Sequence, residues 1–177
     1  MFATVEELSA RLRYDVDVAA GSDALAFASD EVRAVCSGVS LDRHVNDTVM
    51  VYGTVGALLE LPGRPVESVT QVTRAGVPLP GWRLRGDRLY RTQGWSGPHE
   101  VYDVVYTHGF ATPPPAVVAV TLARAARMIV NPEQVMQKRR GDYSASFGSS
   151  TTEVTGLSSW EMRYLALAGL RVTAEVW

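Results

Sequence analysis

Hydrophobic and polar positions follow two different periods along this 177-residue chain, which predict helices towards both ends and strands between them. Thr4 and Glu7 match a capping box, in which each side chain bonds the backbone N–H of the other residue, so a short helix is expected after Thr4. A second helix is expected to start at Ser22 or Asp23. It should end at Gly38, because glycine readily takes the left-handed conformation that follows many helices.

Short runs of alternating apolar and polar residues fill the middle of the chain, and Gly or Pro separates one run from the next. A period of two is typical of strands with one buried face. The expected strands cover residues 48–52, 57–61, 66–74, 82–85, 88–91 and 100–107. The first two should pair as a hairpin. Gly86-Asp87 should form a two-residue turn, because glycine accepts the positive φ that such turns require.

A long apolar helix is predicted over residues 115–130, started by a run of prolines and ended by Asn131-Pro132. Apart from Arg124 and Arg127 the segment is apolar on nearly every side, which is typical of a helix buried on most faces. In a chain of this size, we expect neighbouring subunits to supply part of the cover.

The segment after this helix has two parts of different character. Residues 141–156 are rich in Ser, Thr and Gly and have no clear period, which predicts a long loop or a segment that orders on binding. Ser158 and Glu161 form a second capping-box pattern and predict another helix. Residues 170–177 alternate as in a terminal strand that needs a sheet edge to join. The residues expected to dock on a partner are Leu170, Val172, Val176 and Trp177.

These elements predict an α+β fold, composed of a small helical bundle with an inserted antiparallel β module and an extended C-terminal segment. The chain length suits a single domain with modest extensions. The predicted parts of that domain are residues 1–46 (N-terminal helices), 47–110 (β module), 111–140 (long helix) and 141–177 (loop, short helix and docking strand).

The composition, net charge and cysteine count exclude some classes of protein but do not identify a function. A hydrophobic content of 46% and a charged content of 20% are ordinary for a globular protein, and a net charge of −2 gives no overall attraction for nucleic acid. The single cysteine, Cys36, excludes an intrachain disulfide. The first residues do not resemble a signal peptide and no apolar run reaches about 20 residues, so a soluble protein made in the cytoplasm is expected.

Few residues have the chemistry of a catalytic or metal site. His99, Asp103 and His108 could form an acid–base set, but a period of two puts Asp103 and His108 on opposite faces of a strand, and His44 lies in a different segment. We therefore expect no metal site and no cofactor, with His108 bonded to backbone in a Thr-His-Gly turn. Cys36 is expected in the core, since no motif places a histidine beside it. Nucleotide-binding and serine-hydrolase motifs are absent from the sequence.

Lys138, Arg139 and Arg140 form the one basic run, with Arg124 and Arg127 upstream. The first interpretation is a solvated helix end, where cations are favourable beside the negative end of the helix dipole. The alternative is a contact with DNA phosphates or with an acidic partner surface, without sequence-specific readout.

Two of the four tryptophans, Trp95 and Trp177, lie in or near segments that are expected to be flexible. A large aromatic residue in such a place often anchors an interface. Both are therefore expected to contact a partner, and most of the other aromatic residues are expected in the core or on sheet faces.

The order of motifs over residues 61–110 is the most informative feature. The segment opens with LPGRPV and continues with SV, QV, a Val-Pro-Leu turn, GDRLYR, a Trp and VVYTHGF, before prolines at a helix start. This order resembles the head–tail adaptor, or connector, proteins of tailed bacteriophages. RAVC near the end of the second helix and GDYS ahead of the last helix also fit that family, so the resemblance covers most of the chain.

The resemblance implies a structural protein of the virion neck and not an enzyme. Twelve-fold rings below the portal are usual in that family. The expected partners are further copies of the chain, the portal, a head–tail stopper or other tail-side neck protein, and the double-stranded DNA that passes during ejection without sequence readout. No membrane is expected. A net charge of −2 suits such a conduit, because each neutralised phosphate would add affinity for the moving DNA.

Two alternatives from other functional classes stay open. One is a small soluble enzyme whose fold gathers His99, Asp103 and His108 in a pocket. The other is a non-specific DNA-binding module that uses residues 138–140.

Overall fold

The computed structural model describes residues 1–131, 157–170 and 172, together with the backbone of residues 137–140 and 143–146. The elements in chain order are α1 (Val5–Leu12), α2 (Val18–Val35), β1 (His44–Tyr52), β2 (Leu58–Glu60), β3 (Val66–Arg74), β4 (Val77–Pro78), β5 (Trp82–Arg85), β6 (Arg88–Arg91), β7 (Val101–His108), α3 (Pro115–Val130), β8 (Gln137–Arg140), β9 (Tyr143–Ser146) and α4 (Ser159–Leu167). The helices and antiparallel sheets confirm the predicted α+β class.

The chain divides into two compact units. The helical unit consists of Met1–Ser37 and Pro113–Trp177, and the β unit consists of Gly38–Thr112. No helix in the described ranges is long and apolar enough to cross a membrane.

Helix α1 begins as its sequence predicts. The Thr4 hydroxyl accepts a hydrogen bond from the Glu7 N–H at 3.3 Å, and the Glu7 carboxylate accepts one from the Thr4 N–H at 2.8 Å. These two bonds satisfy backbone donors that have no partner within the helix, so they fix where α1 starts.

Helix α2 begins at Val18, earlier than the predicted start, and the Asp17 carboxylate caps it by accepting from the Ala20 N–H at 3.0 Å. Gly21 therefore lies inside the helix, although glycine is a poor helix former. A Cβ at Gly21 would lie 3.0 Å from Val5 Cγ1 and 3.2 Å from Val16 Cγ1. The glycine is thus used for the close approach of α1 to α2, which a local helix propensity cannot reveal.

Helix α3 is covered by helices of its own unit. Ala125 is fully buried in a cluster with Leu8 of α1 and with Leu25 and Ala28 of α2. The predicted burial on most faces is confirmed, and in this cluster the cover comes from helices of the same chain. That neighbouring subunits cover further parts of α3 stays a prediction. α1, α2 and α4 all pack against α3.

The β unit contains two antiparallel sheets that share one hydrophobic core. The larger sheet has the strand order β1-β7-β3-β4, and the smaller sheet has the order β2-β6-β5. Their buried core residues are Leu59, Leu61, Val72, Leu89, Trp95, Tyr102, Val104 and Tyr106. Trp95, which the sequence assigned to an interface, is therefore a core residue with no exposed surface.

The predicted hairpin between residues 48–52 and 57–61 is wrong. β1 pairs with β7 and β2 pairs with β6, so the two segments belong to different sheets. Gly53 lies where the chain leaves β1 of the larger sheet and continues towards β2 of the smaller sheet. Its N–H donates to the Glu100 carbonyl at 2.8 Å, and a Cβ at this position would clash with the Trp95 carbonyl oxygen. The glycine serves a close backbone approach and not a tight turn between two paired strands.

The predicted turn between β5 and β6 is confirmed. Arg85 pairs with Arg88, which leaves Gly86-Asp87 as the two-residue connection, and Gly86 has a φ of +57°. Asp87 also ties the turn to the start of β3, because its carboxylate accepts a hydrogen bond from the Val66 N–H at 2.8 Å.

Strands β8 and β9 form a hairpin where the sequence predicts the end of a long helix and then a loop. Arg140 pairs with Tyr143, and Gln137 pairs with Ser146. The helix end predicted at residues 138–140 is wrong, and the loop predicted over 141–156 contains strand β9. Strands of four residues are too short for their periodicity to stand out from the sequence.

Helix α4 begins at the predicted capping box of Ser158 and Glu161. It ends at Leu167, and Gly169, just past its C-cap, has a φ of +82°. The Leu170 N–H donates back to the Leu165 carbonyl at 3.2 Å. This left-handed cap folds an apolar residue onto the last helical turn. Leu170 is accordingly buried as part of the helix end.

Candidate functional site

The acid–base set of His99, Asp103 and His108, which the sequence left open as an alternative, is not assembled, and Asp103 and His108 lie on opposite faces of β7 as predicted. Asp103 lies on β7 between Met50 of β1 and Thr73 of β3, whereas His108 ends β7 on the opposite, buried face. His99 precedes the strand and is exposed. The three side chains therefore do not share one site. Among the residues described, no group of three or more His, Cys, Asp or Glu is placed to hold a metal ion.

His108 instead forms a cluster with residues that are distant in sequence. Its Nδ1 lies 2.9 Å from the Ser40 hydroxyl, and its Nε2 lies 3.1 Å from the Asp47 carboxylate. The ring stacks on His44, with 4.9 Å between centroids, and on Tyr106, with 4.6 Å. The predicted backbone bonding of His108 and its predicted separation from His44 are both wrong.

A bulge in β1 brings this cluster together. The pairing of β1 with β7 shifts between His44 and Asp47, and Asn46 in that interval has a φ of +52°. In a regular strand two residues three positions apart point to opposite faces, but an extra residue lets both point to the same side. His44 and Asp47 can therefore both contact His108. A period of two does not locate such a bulge, so the sequence did not predict the cluster.

The remaining sides of the His108 ring are also occupied. A Cβ at Gly63 would clash with the ring, and the Gly63 N–H donates to the Tyr106 hydroxyl at 2.9 Å. Burial raises the pKa of the Tyr106 phenol above its ordinary value, so the phenol stays protonated near neutral pH. The enclosure leaves His108 only 5% exposed.

Ser40, His108 and Asp47 are the residue types of a nucleophilic triad, but their geometry differs from one. In serine hydrolases the histidine Nε2 faces the serine and Nδ1 faces the aspartate. Here Nδ1 faces Ser40 and Nε2 faces Asp47, and the enclosed ring has no open side for a reacting carbonyl group. The cluster joins β1, β7 and the segment before β1, so we interpret its role as structural: it holds these three segments together.

Cys36 lies in the core, as predicted. Its side chain is 1% exposed, and its backbone N–H donates to the Val32 carbonyl at the end of α2. Burial raises the pKa of the thiol to about 11 from an ordinary 9.0. The thiolate that a nucleophile requires is therefore scarce near neutral pH.

Cys36 should resist alkylation in the folded protein. At pH 8 iodoacetamide should modify it at least about 100-fold more slowly than in urea, because two pKa units lower the thiolate fraction about 100-fold and burial adds a steric barrier. The raised pKa also makes the free energy of unfolding depend on pH. The contribution of Cys36 is complete below pH 9.0, where the thiol is protonated in both states, and it is lost as the pH rises through about 11, because the unfolded thiol loses its proton first. Mass spectrometry over time measures the rate. Equal rates with and without urea would contradict the assignment to the core.

The two arginines of α3 are paired with carboxylates of the helical unit. Arg124 forms a double hydrogen bond with Glu31 at 2.7 and 3.2 Å, and their side chains are 8% and 15% exposed. Arg127 bonds the fully buried carboxylate of Glu161 at 2.7 Å. Of the basic run at residues 138–140, the structure describes the backbone alone, on β8.

The residues predicted to dock on a partner as a strand have mixed outcomes. Leu170 is buried at the end of α4, Val172 is half-buried, and neither belongs to a strand. The prediction of a strand is wrong for these two positions, because the left-handed cap directs the chain back onto the helix. Val176 and Trp177 lie outside the described residues.

Each unit exposes a group of apolar side chains. In the β unit, Met50 and Tyr52 are 73% and 68% exposed on β1, and we call them the β1 patch. In the helical unit, Trp160, Tyr164 and Leu167 are 56%, 44% and 77% exposed, and we call them the α4 stripe. The spacing of the stripe, four and then three residues, places its members on one side of the helix.

A third surface, on the smaller sheet, is basic. Arg83 and Arg85 of β5 and Arg88 of β6 are exposed on the same side as Tyr90. We call these four residues the basic face. The signal is present in the sequence WRLRGDRLYR, where Arg or Tyr recurs at every second position on both sides of a two-residue turn. The strands and the turn were predicted, but their shared arginine face was not.

Comparison of the sequence with protein-family models and with curated proteins finds no match in either.

Proposed function

We propose that this protein is a structural head–tail adaptor of a phage neck, in which copies of the chain form a ring between the portal and tail-side proteins. The single observation that carries the proposal is the presence of two different exposed apolar surfaces, the β1 patch and the α4 stripe. The order of motifs over residues 61–110, which resembles the adaptor family, supports the same assignment. Twelve copies is the size that the resemblance implies.

A closed ring needs two different surfaces on each subunit. In a head-to-tail contact, one surface of each copy meets a different surface of the next, and the series closes when the rotation permits. β1 lies at one end of its sheet, so its outer edge has no strand partner among the described strands. We infer that the β1 patch of one copy packs against the α4 stripe of the next.

The internal use of the polar groups also supports a structural role. His108 is enclosed and bonded at both ring nitrogens, and Cys36 is buried with a raised pKa. Arg124 is held by Glu31. These side chains stabilise the fold, and none of the three is presented to a substrate.

Charged substitutions in either apolar surface should prevent ring formation. We expect Met50→Glu with Tyr52→Glu, and separately Trp160→Glu with Leu167→Glu, to give monomers where the unmodified protein gives rings. A carboxylate buried in an apolar contact without a partner costs several kcal/mol. Light scattering after gel filtration gives the mass, and negative-stain electron microscopy gives the shape.

Mixing the two double variants provides the sharper test. Each retains the surface that the other lacks, so a head-to-tail contact should produce a complex of two chains that grows no further. Val77→Glu is the matched control, because Val77 is 65% exposed on β4 and belongs to neither surface. The proposal is wrong if the unmodified protein stays monomeric up to several hundred micromolar and with an added portal ring. It is also wrong if both double variants assemble normally.

A further inference from the structure

The basic face has an alternating geometry that separates its charges from the core. Arg83 lies opposite Tyr90 and Arg85 lies opposite Arg88 in the antiparallel pair of β5 and β6. Because side chains alternate, these four point to one side, while the intervening Leu89 is fully buried on the other. The arginines are thus presented on a rigid hairpin backed by the hydrophobic core.

The positive charge of this face is only partly neutralised. Glu60 accepts from Arg88 at 2.7 Å and from Arg64 at 3.1 Å, so one carboxylate serves two guanidinium groups. Among the residues described, neither Arg83 nor Arg85 has a carboxylate partner. Three exposed arginines stand against the shared Glu60 and the Asp87 carboxylate of the turn, which is bonded to the Val66 N–H, and Glu60 also serves Arg64. A local excess of positive charge remains in a chain whose net charge is −2.

Tyr90 holds two of these guanidinium groups in place. The Arg85 guanidinium lies 4.1 Å from the centre of the Tyr90 ring, and that of Arg83 lies 5.5 Å from it. Stacking on an aromatic ring restricts the arginine side chains before any ligand arrives, so less conformational entropy is lost on binding. It also keeps two like charges close together, a repulsion that a bound anion would relieve.

We propose that the basic face binds the phosphate backbone of double-stranded DNA, weakly and without reading its sequence. Planar guanidinium groups match the geometry of phosphate oxygens. The Tyr90 ring is already covered by arginine and is not free to stack on an unpaired base, which favours a duplex over a single strand. The inference deepens the proposed function, since it names the surface that touches the DNA led through the ring.

The small number of arginines agrees with DNA that has to slide. Three phosphate contacts give a slope of about −2.7 for the logarithm of affinity against that of salt concentration. Affinity should then fall about 40-fold between 50 and 200 mM salt. Proteins that grip DNA tightly make roughly two to three times as many contacts. Several basic faces in a ring would raise the total attraction by effective concentration, while each contact still breaks readily.

Binding of a fluorescein-labelled duplex of random sequence, about 30 base pairs long, tests the inference by fluorescence anisotropy against salt concentration. The variant Arg83→Gln with Arg85→Gln and Arg88→Gln should lose most of the affinity and most of the salt dependence. The matched control is Arg11→Gln with Arg13→Gln and Arg163→Gln, which changes net charge equally at exposed positions of the helical unit. Replacement of Arg83, Arg85 and Arg88 by Lys should keep the salt slope.

Several outcomes would overturn the inference. These are no binding by the unmodified protein at about 50 mM salt, equal losses in the two glutamine variants, or competition by poly-glutamate as strong as that by unlabelled duplex. The last result would indicate an acidic protein partner. The same titration on the variant Met50→Glu with Tyr52→Glu separates the two proposals. If that variant binds the duplex while the unmodified protein forms no ring, the proposed function fails and the DNA-binding face remains.

Discussion

Replacing Arg124 by Met should destabilise the helical unit by about 3–5 kcal/mol, because it leaves the Glu31 carboxylate buried without a partner. Both side chains are largely buried, and two hydrogen bonds join them at 2.7 and 3.2 Å. Urea unfolding followed by circular dichroism should show a lower midpoint at an unchanged slope. The size of the effect depends on burial more than on the ion pair itself.

An exposed ion pair of the same geometry provides the control. Arg43 bonds Glu67 through two atoms at 2.8 and 2.7 Å, with side chains 40% and 49% exposed. Arg43→Met should therefore cost less than about 1 kcal/mol. Replacing Arg124 by Met together with Glu31 by Leu should recover most of the loss, since no charge then stays buried. A loss below about 1 kcal/mol for Arg124→Met alone would show that the pair is exposed in solution, and that Arg124 can contribute to a basic surface after all.

Local sequence signals predicted the elements whose stability is decided nearby. The capping boxes at Thr4 and Ser158 involve side chains three residues apart, and Gly86 has to supply a positive φ at its own position. All the residues that form each of these features lie within one short segment. The pattern of residues 115–130 also predicted a buried helix, because a helix that is apolar on nearly all sides has to be covered on most of its surface.

Features that depend on distant partners were not predictable in the same way. The partner of Arg124 is 93 residues away in sequence, and His108 meets Asp47 across 61 residues. Gly53 lies in the connection of the predicted hairpin and Gly21 lies just before the predicted helix start, whereas each permits a close approach to a segment that only the fold brings near. A glycine in a sequence therefore indicates special backbone needs without saying whether they are local or tertiary.

The candidate surfaces could be predicted from the sequence only in part. The arginines of the basic face follow a period of two, so the sequence contains their arrangement. Which side of the hairpin faces the core depends on packing against the larger sheet, and this made Leu89 the buried residue. Exposure of Met50 and Trp160 could not be read from sequence, because apolar residues at these periods are usually the buried ones.

Replacing Trp95 by Ala should cost the β unit about 3–5 kcal/mol, in the range of large aromatic truncations in protein cores. Trp95 has no exposed surface, its ring meets Tyr102 edge to face at 5.2 Å, and its indole N–H donates to the Ala57 carbonyl at 3.1 Å. The substitution removes all three interactions. Hydrogen exchange of the amides in β1, β3 and β7 measures the loss in this unit specifically.

Trp160 is the matched control, since the same residue type is 56% exposed on α4. Trp160→Ala should change the free energy of unfolding of the monomer by no more than about 0.5 kcal/mol, as is usual for exposed positions. It should instead weaken self-association, because Trp160 belongs to the α4 stripe. The two substitutions therefore separate folding from assembly. If Trp95→Ala leaves exchange in the β unit unchanged, the tryptophan is not a core residue. If Trp160→Ala destabilises the monomer as strongly as Trp95→Ala is expected to do, the α4 stripe is covered within the chain and cannot be a subunit contact.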